Sequence, residues 1–566
     1  MDNTYCRLLL EAVPRILSHL DRDPTSPTYG CFDRPFWLYH LTDFPSAILQ
    51  QSSLTLALLS AHYFPGNVYY QNPRIREWAL AAVSFWKQIQ NKDGSFNEYW
   101  QGESSLPATV FSAFAVSETA RIFGLQDPEL IEKLSQACSF MEKNAEYFAA
   151  NQEVAAASAS YSVYLLTGNK KLESLFQKKF AWLKALQSPE GFFYEQGGAD
   201  AGYLTVSLNY LGWLFKELPQ NDSAKEETKK MCEKALQFLS YLIHPDGSLG
   251  GEYGSRNTEY LLPGGLIYLA KDFPLAASIL RQHEKYLFSE PRNFPVDDRY
   301  LLHYFGPSFA WAAAAYLKEK KNVSVIRLHF QKKLTCHFAD AGLLIASRPN
   351  LYLIINLKKG GVLKLYSHGK FLLNDLGYRI KTSSGKIFFS EFGHEKPRVE
   401  LVWSESHKII SVKITKMFSP KEPLVMTPIK RFTLYLFSAI FGPRFRSIVK
   451  ELTLKKERDS PYILVREIKV SSDELMIADQ IIGLQKKDRV IPAGGQSVKL
   501  IPSAKFFQVF ELNNLINTPL DKDRRLISPE GRIASIIDLK EDKFKAEGAH
   551  SQLPRLTATN SRLNGR

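Results

Sequence analysis

QSPEGFFYEQGGADAGYLTVSLNYLGWLF, residues Gln187 to Phe215, runs a glycine-rich polar loop straight into an apolar helix. Pro189, Gly191, Gly197, Gly198 and Gly202 break any helix before Tyr203, whereas Leu204, Leu208, Leu211 and Phe215 recur at helical spacing after it. Tyr203, Ser207 and Tyr210 make a second stripe beside the apolar one. Such a loop holds Glu195, Gln196, Asp200 and Tyr203 near the positive end of a helix, where an anionic ligand is stabilised. The structural alternative is a helix connection whose polar residues only cap.

The same loop-then-helix scheme recurs along the chain. DFPS at Asp43 precedes SSLTLALLSAHYF, NKDGSFNEYW around Gly94 precedes TVFSAFAVSETARIF, and AEYFAANQE around Asn151 precedes VAAASASYSVYLL. After the opening stretch, HPDGSLGGEYGSRN precedes TEYLLPGGLIYLA and RNFPVDDRY precedes PSFAWAAAAYL. Six units of ~50 residues predict an array of helix pairs. The second helix of each unit is rich in Ala, Ser, Gly and Thr and so permits close approach; the expected fold of residues 1–322 is an (α/α)6 toroid. Its loops then surround a common cleft, where Tyr99, Trp100, Phe193, Tyr194 and Tyr253 either stack on sugar rings or plug the mouth.

Near residue 325 the texture changes to short β-rich runs such as GLLIASR, LYLIINL and YILVREIKV, separated by turns at Gly360-Gly361, His368-Gly369 and Ser384-Gly385. An antiparallel β-sandwich is expected over 323–550, with 551–566 as a flexible tail, giving a multidomain α and β protein. One segment departs from this pattern. Residues 421–458 carry nine Lys+Arg against three Asp+Glu around the apolar run Phe432 to Phe441, which is too short to span a bilayer. It reads as a basic amphipathic element on a membrane surface, or as an inserted helix or hairpin packed on the sandwich.

The composition, 45% hydrophobic and 23% charged over 566 residues, excludes general disorder. The net charge of +14 is uneven: residues 326–566 hold 42 Lys+Arg against 23 Asp+Glu, leaving 30 against 35 in the first 325. Cys6, Cys31, Cys138, Cys232 and Cys336 show no metal-ligand spacing and no disulfide framework, so they are expected to be reduced and buried, with no metal site. The N-terminal stretch lacks the pattern of a signal peptide, which points to the cytoplasm, at most peripheral on the inner membrane.

These loop texts resemble the heparinase II/III-like superfamily of polysaccharide lyases and uronyl epimerases. GFFYEQGGADAGYLTVSLNYL is similar to the family loop that ends in the catalytic tyrosine, which falls on Tyr203; HPDGSLGGEYGSRN is similar to the next loop, and AANQE to the loop whose Asn binds the substrate carboxylate, here Asn151. DAGLLIASR, KFLLNDLGY and LVREIKVSSDELMIADQI look like the family's strands. Two departures stand out. Gln152 follows Asn151 where His is common, and Lys358-Lys359-Gly360-Gly361 stands where a His-x-Asp often does; His368 lies in a turn, SHGK, and is not the missing base.

The resemblance implies proton abstraction from C5 of a uronic acid, without a cofactor. That carbon acid is weak unless its carboxylate is neutralised; Asn151 and Gln152 offer hydrogen bonds and Arg256 a charged clamp. Tyr203 then serves as acid or base, provided a positive charge draws its pKa down from ~10. Loss of the leaving oxygen makes a lyase, and proton return to the opposite face an epimerase. Substrate contacts are expected from Gln152, Glu195, Gln196, Asp200, Glu252, Tyr253, Asn257, Tyr99 and Trp100. The expected partner is an acidic surface polysaccharide or its lipid-linked precursor, with an anionic membrane surface as a further one and no nucleic acid. Two alternatives stand beside this reading: a toroidal glycoside hydrolase using Glu98, Glu195, Asp200, Glu252 and Glu259, and a non-catalytic polysaccharide-binding or assembly protein.

Overall fold

The computed structural model describes residues 4–287, 297–319, 323–391, 397–404, 409–421, 427–441, 445, 460–471, 474–493, 532–539 and 543–544. The predicted tail at 551–566, the boundary at Asn322, and residues 422–426, 442–444 and 446–459 of the basic segment lie outside these.

Helices of seven residues or more in the first half are α1 (Thr4–His19), α2 (Ser52–Ala61), α3 (Pro73–Gln88), α4 (Leu106–Phe123), α5 (Pro128–Lys143), α6 (Ala150–Thr167), α7 (Lys170–Leu186), α8 (Ala201–Glu217), α9 (Ser223–Leu239), α10 (Pro263–Leu269), α11 (Pro274–Leu287) and α12 (Gly306–Glu319). The even-numbered helices pack in a closed circuit: α2 on α4, α4 on α6, and so through α8, α10 and α12 back to α2. The odd-numbered ones lie outside it, α3 on α2, α5 on α4, α7 on α6, α9 on α8, α11 on α10 and α1 on α12. Sequence explains the division. All residues of α8 from Ala201 to Phe215 are buried, as suits a helix apolar and small all round. In α9 only a stripe through Ala224, Thr228, Met231, Ala235 and Leu239 faces inward.

The circuit is tight where glycines face each other. A Cβ on Gly212 would stand 2.4 Å from the Gly265 carbonyl oxygen, and one on Gly265 would stand 2.0 Å from that of Leu208. Backbone cannot yield as a side chain does, so Gly265→Ala is expected to cost at least the ~1–3 kcal/mol of an overpacked core, read as a lower urea midpoint.

The second half is antiparallel throughout the described residues. A five-stranded meander runs β1 (Leu334–Phe338), β2 (Leu343–Arg348), β3 (Leu351–Asn356), β4 (Val362–Ser367) and β5 (Lys370–Asp375). A six-stranded sheet contains Arg398–Ser404, Ile409–Met417, Ile463–Val470, Glu474–Ile482, Arg532–Asp538 and Lys543–Phe544, and a four-stranded one contains Tyr378–Lys381, Ile387–Phe389, Ser419–Lys421 and Arg489–Pro492. One face of the meander (Leu353, Leu363, Leu365) shares a core with Val412, Ile468 and Leu475 of the six-stranded sheet. Its other face (Ile345, Tyr352, Ile354, Tyr366) joins the core of the helical half. Burial on both faces is why LYLIIN shows no alternation, whereas Ile463–Val470, covered on one face, alternates strictly.

Three expectations shift. The helix expected to begin at Val154 begins at Ala150, so Asn151 lies in its first turn rather than in a loop. The one expected from Thr258 begins at Pro263, whose missing N–H suits a first turn. The basic segment contains a helix, α13 (Pro428–Phe441), and its hydrogen bonds reach the helical half: the Trp100 indole N–H donates to Ser438 Oγ at 2.7 Å, and the Tyr435 hydroxyl to the Asp43 carboxylate at 3.1 Å. Of the five cysteines, all unpaired, four are buried and Cys336 is half-buried. Among the described residues no helix is long and apolar enough to cross a membrane.

Candidate functional site

Asp200 organises the site. As N-cap of α8 its Oδ1 accepts the Tyr203 N–H at 3.1 Å, which satisfies an otherwise orphaned donor and sets Tyr203 in the first turn. The other oxygen accepts the backbone N–H of Arg256 at 3.0 Å and of Thr258 at 3.3 Å, while the Thr258 hydroxyl bonds Oδ1. One carboxylate thus fastens the start of α8 to the loop that carries Arg256. Gly202 makes the approach feasible, since a Cβ there would stand 2.4 Å from Thr258 Oγ1. Asp200 was expected to contact substrate at the helix N-terminus; the structure instead makes it the cap, so that terminus already holds its anion.

This fastening lays the Arg256 guanidinium over the Tyr203 ring, 3.7 Å from its centroid. Arg256 Nη1 also pairs with Glu195 Oε2 at 3.3 Å. The other oxygen of Glu195 accepts both donors of Asn151, the backbone N–H at 3.0 Å and the side-chain Nδ2 at 2.6 Å. Asn151, Glu195, Arg256 and Tyr203 therefore meet, but the carboxylate bound by Asn151 and Arg256 is the protein's own. Burial pushes the Glu195 carboxyl up to about 7, with Arg256 and then Asn151 pulling it back. Gln196 is half-buried, and its N–H donates to the Phe148 carbonyl at 2.5 Å, holding this loop to the start of α6.

Polar atoms without internal partners gather beside these groups. Gln152 Oε1, Ser207 Oγ one turn along α8 from Tyr203, and the Tyr260 hydroxyl are buried and unbonded among the described residues. The Tyr260 ring lies 6.3 Å from that of Tyr203. Buried polar atoms of this kind are ordinarily satisfied by water or ligand. Deeper in the circuit, Phe114 packs edge-on against Tyr210, Trp213 and Trp311.

The other expected residues divide. Tyr99, 47% exposed, lies under the Arg299 guanidinium at 4.9 Å, and Trp100 is engaged with α13. Asn257, at φ +61°, accepts Lys359 Nζ at 2.7 Å. Glu252 accepts Asn374 Nδ2 at 2.8 Å. Tyr253 is not at the mouth: it is buried, its hydroxyl 2.8 Å from His244 Nε2 in a network continued by Ser248 and Tyr366. An aromatic in a glycine-rich loop thus fills core here.

Sequence reading placed the sixth loop but singled out none of its residues. Arg299, its guanidinium over the Tyr99 ring, pairs through Nη2 with Glu98 Oε1 at 2.8 Å, a second arginine, glutamate and tyrosine set. Tyr300, its ring 6.1 Å from that of Tyr260, is held strongly to its neutral form, by burial first and then by the neighbouring Tyr203. His303 lies beside Tyr304 at 4.1 Å between ring centroids, and burial keeps it neutral. The only sequence signal was the Asp297-Asp298-Arg299-Tyr300 run. Lys359 was also passed over. It reaches from the turn after β3 to the carbonyls of Glu252 and Gly254 as well as to Asn257, the place where the resembling family often has histidine and aspartate.

Comparison with known proteins finds likenesses among solved structures alone. No protein-family model matches the chain, and no curated protein does. Among solved structures it is similar to a Paenibacillus xanthan lyase, with 11% identity and a TM-score of 0.46 over 85% of this chain and 45% of that one. A chondroitin AC lyase of Streptomyces coelicolor A3, in complex with chondroitin sulphate, matches with 13% identity and a TM-score of 0.48 over 85% and 67%. A heparan sulfate lyase of Pedobacter heparinus matches with 11% identity and a TM-score of 0.38 over 77% and 62%. These likenesses are to polysaccharide lyases. The chain spans less than half the length of the xanthan lyase.

Proposed function

We propose that the closed helical circuit is an (α/α)6 toroid, that the meander and the six-stranded sheet form a β-sandwich on it, and that the site acts on a uronic acid by abstracting the C5 proton. The observation that carries this reading is the Arg256 guanidinium 3.7 Å over the Tyr203 ring, with Glu195 and Asn151 in the same cluster. A cation on the ring face stabilises negative charge as it develops on the phenol, which is what a tyrosine needs to take a proton from carbon. The electron pair left at C5 delocalises onto the adjacent carboxylate. Either the C4–O bond then breaks, leaving a C4–C5 double bond and a protonated leaving oxygen, or C5 is reprotonated on its other face. Tyr203, once it has taken the C5 proton, is the group that can pass it to the leaving oxygen. Tyr203 as a whole is 5% exposed, so a polymer reaches it only once residues around the mouth shift.

Glu195 shapes substrate binding in this account. A uronate carboxylate offered to Arg256 and Asn151 competes with it, and a carboxyl titrating at about 7 can take up a proton as the substrate brings its charge. Below pH 7 Glu195 is neutral and concedes its donors; above it the two anions compete. KM is therefore expected to rise with pH from 6 to 8 in the wild type and to lose that rise in Glu195→Gln. The substrate we favour is an acidic surface polysaccharide or its lipid-linked precursor.

The deciding test compares uronate oligosaccharides with the same chains after their carboxyl groups are reduced to alcohols. The reading expects binding and turnover of the first and neither with the second. Equal handling of both would favour the loop-carboxylate hydrolase, and binding of the acidic form without any turnover would favour the assembly protein.

A further inference from the structure

Helix α13 has its polarity reversed relative to a helix packed on a soluble protein. It holds to the helical half through polar groups: Ser438, buried, accepts the Trp100 N–H, and Tyr435 donates to Asp43. Four of its large apolar side chains face the other way. Ile429 is 78% exposed, Phe432 67%, Ile440 62% and Leu436 45%. At 3.6 residues per turn these four fall in an arc of about 80° on the side away from Ser438, a stripe roughly 16 Å long. Exposed apolar stripes of this kind mark a surface that meets something other than water.

Charge selects the occupant. Lys430 and Arg431 are exposed on the same helix, and residues 421–458 as a whole hold nine basic against three acidic residues. A second copy would bring these like charges together, whereas lipid headgroups of negative charge would be drawn to them. The stripe is convex and presented by one helix, the shape that lies in a headgroup layer with its apolar face sunk into the acyl boundary. We infer that α13 is a docking surface for an anionic phospholipid bilayer. Its contacts with Asp43 and Trp100 then turn the loop end of the helical half toward the lipid.

The test floats the full-length protein with vesicles of phosphatidylcholine alone or mixed with phosphatidylglycerol. The protein is expected to rise with the mixed vesicles and to be released by salt. Phe432→Ser with Leu436→Ser, and separately Lys430→Glu with Arg431→Glu, are each expected to weaken recovery at least roughly tenfold. All four side chains are exposed or partly exposed, so an unchanged melting temperature shows that the fold is intact. Wild type that stays at the bottom of both gradients overturns the inference. So does vesicle binding that survives the serine pair, which would reduce the effect to charge alone. A lipid-independent dimer that Leu436→Ser disperses would also overturn it, naming a second copy as the occupant.

Discussion

Tyr203→Phe is expected to lower turnover on a uronate polymer by ~10²- to 10⁴-fold while the melting temperature stays near that of the wild type. The substitution removes one oxygen and keeps the ring that Arg256 covers and that packs edge-on near Tyr260 and Tyr304. Nothing in the N-cap changes, because Asp200 bonds the Tyr203 backbone and not its hydroxyl. A role in proton transfer thus predicts loss of kcat with KM little altered. A purely structural hydroxyl would instead show itself as lost stability.

Arg256→Ala is expected to produce the second large effect, on stability as well as on activity. It leaves the buried Glu195 carboxylate with only the Asn151 donors, and breaking one side of a buried pair costs roughly 3–5 kcal/mol. The sign with pH follows from Glu195. Its folded value is raised to about 7, so an unfolded chain releases this proton first and stability falls as pH rises from about 4.5 to 7. Without the guanidinium the folded value rises further, and the decline extends above pH 7. The deficit of Arg256→Ala is therefore expected to be larger at pH 8 than at pH 6 by denaturant titration. Adding Glu195→Gln should remove the pH-dependent part and leave the loss of activity.

The helical circuit was legible because its signals are local. Five of the six inner helices follow a Gly- or Pro-containing loop, the loop before α6 having neither, and Asp200 and Ser105 cap where such residues should. Where the local signal failed, a tertiary contact had replaced it. Ala149 caps α6 with no side chain, and the helix starts there because the Ala149 backbone bridges to Glu195 across the neighbouring loop.

The candidate site was legible only in part, for the same reason. Neighbouring loops of a ring converge, so Asn151, Tyr203 and Arg256 could be placed together from their loops. Which of them binds which could not be read off, and Glu195 as the partner of Asn151 and Arg256 is a fact of side-chain packing. Arg299 pairs with Glu98 across 201 positions, and Trp100 with Ser438 across 338, distances at which no periodicity carries information.

The central claim is tested most directly by incubating wild type and Tyr203→Phe with a panel of uronate polymers in deuterated buffer, following C5 exchange by NMR and unsaturated product by absorbance. The account predicts, for at least one polymer, deuterium at C5 or unsaturated ends with the wild type, and neither above background with the variant. Exchange or elimination at full rate in Tyr203→Phe, or neither signal from folded wild type across the panel, would contradict it.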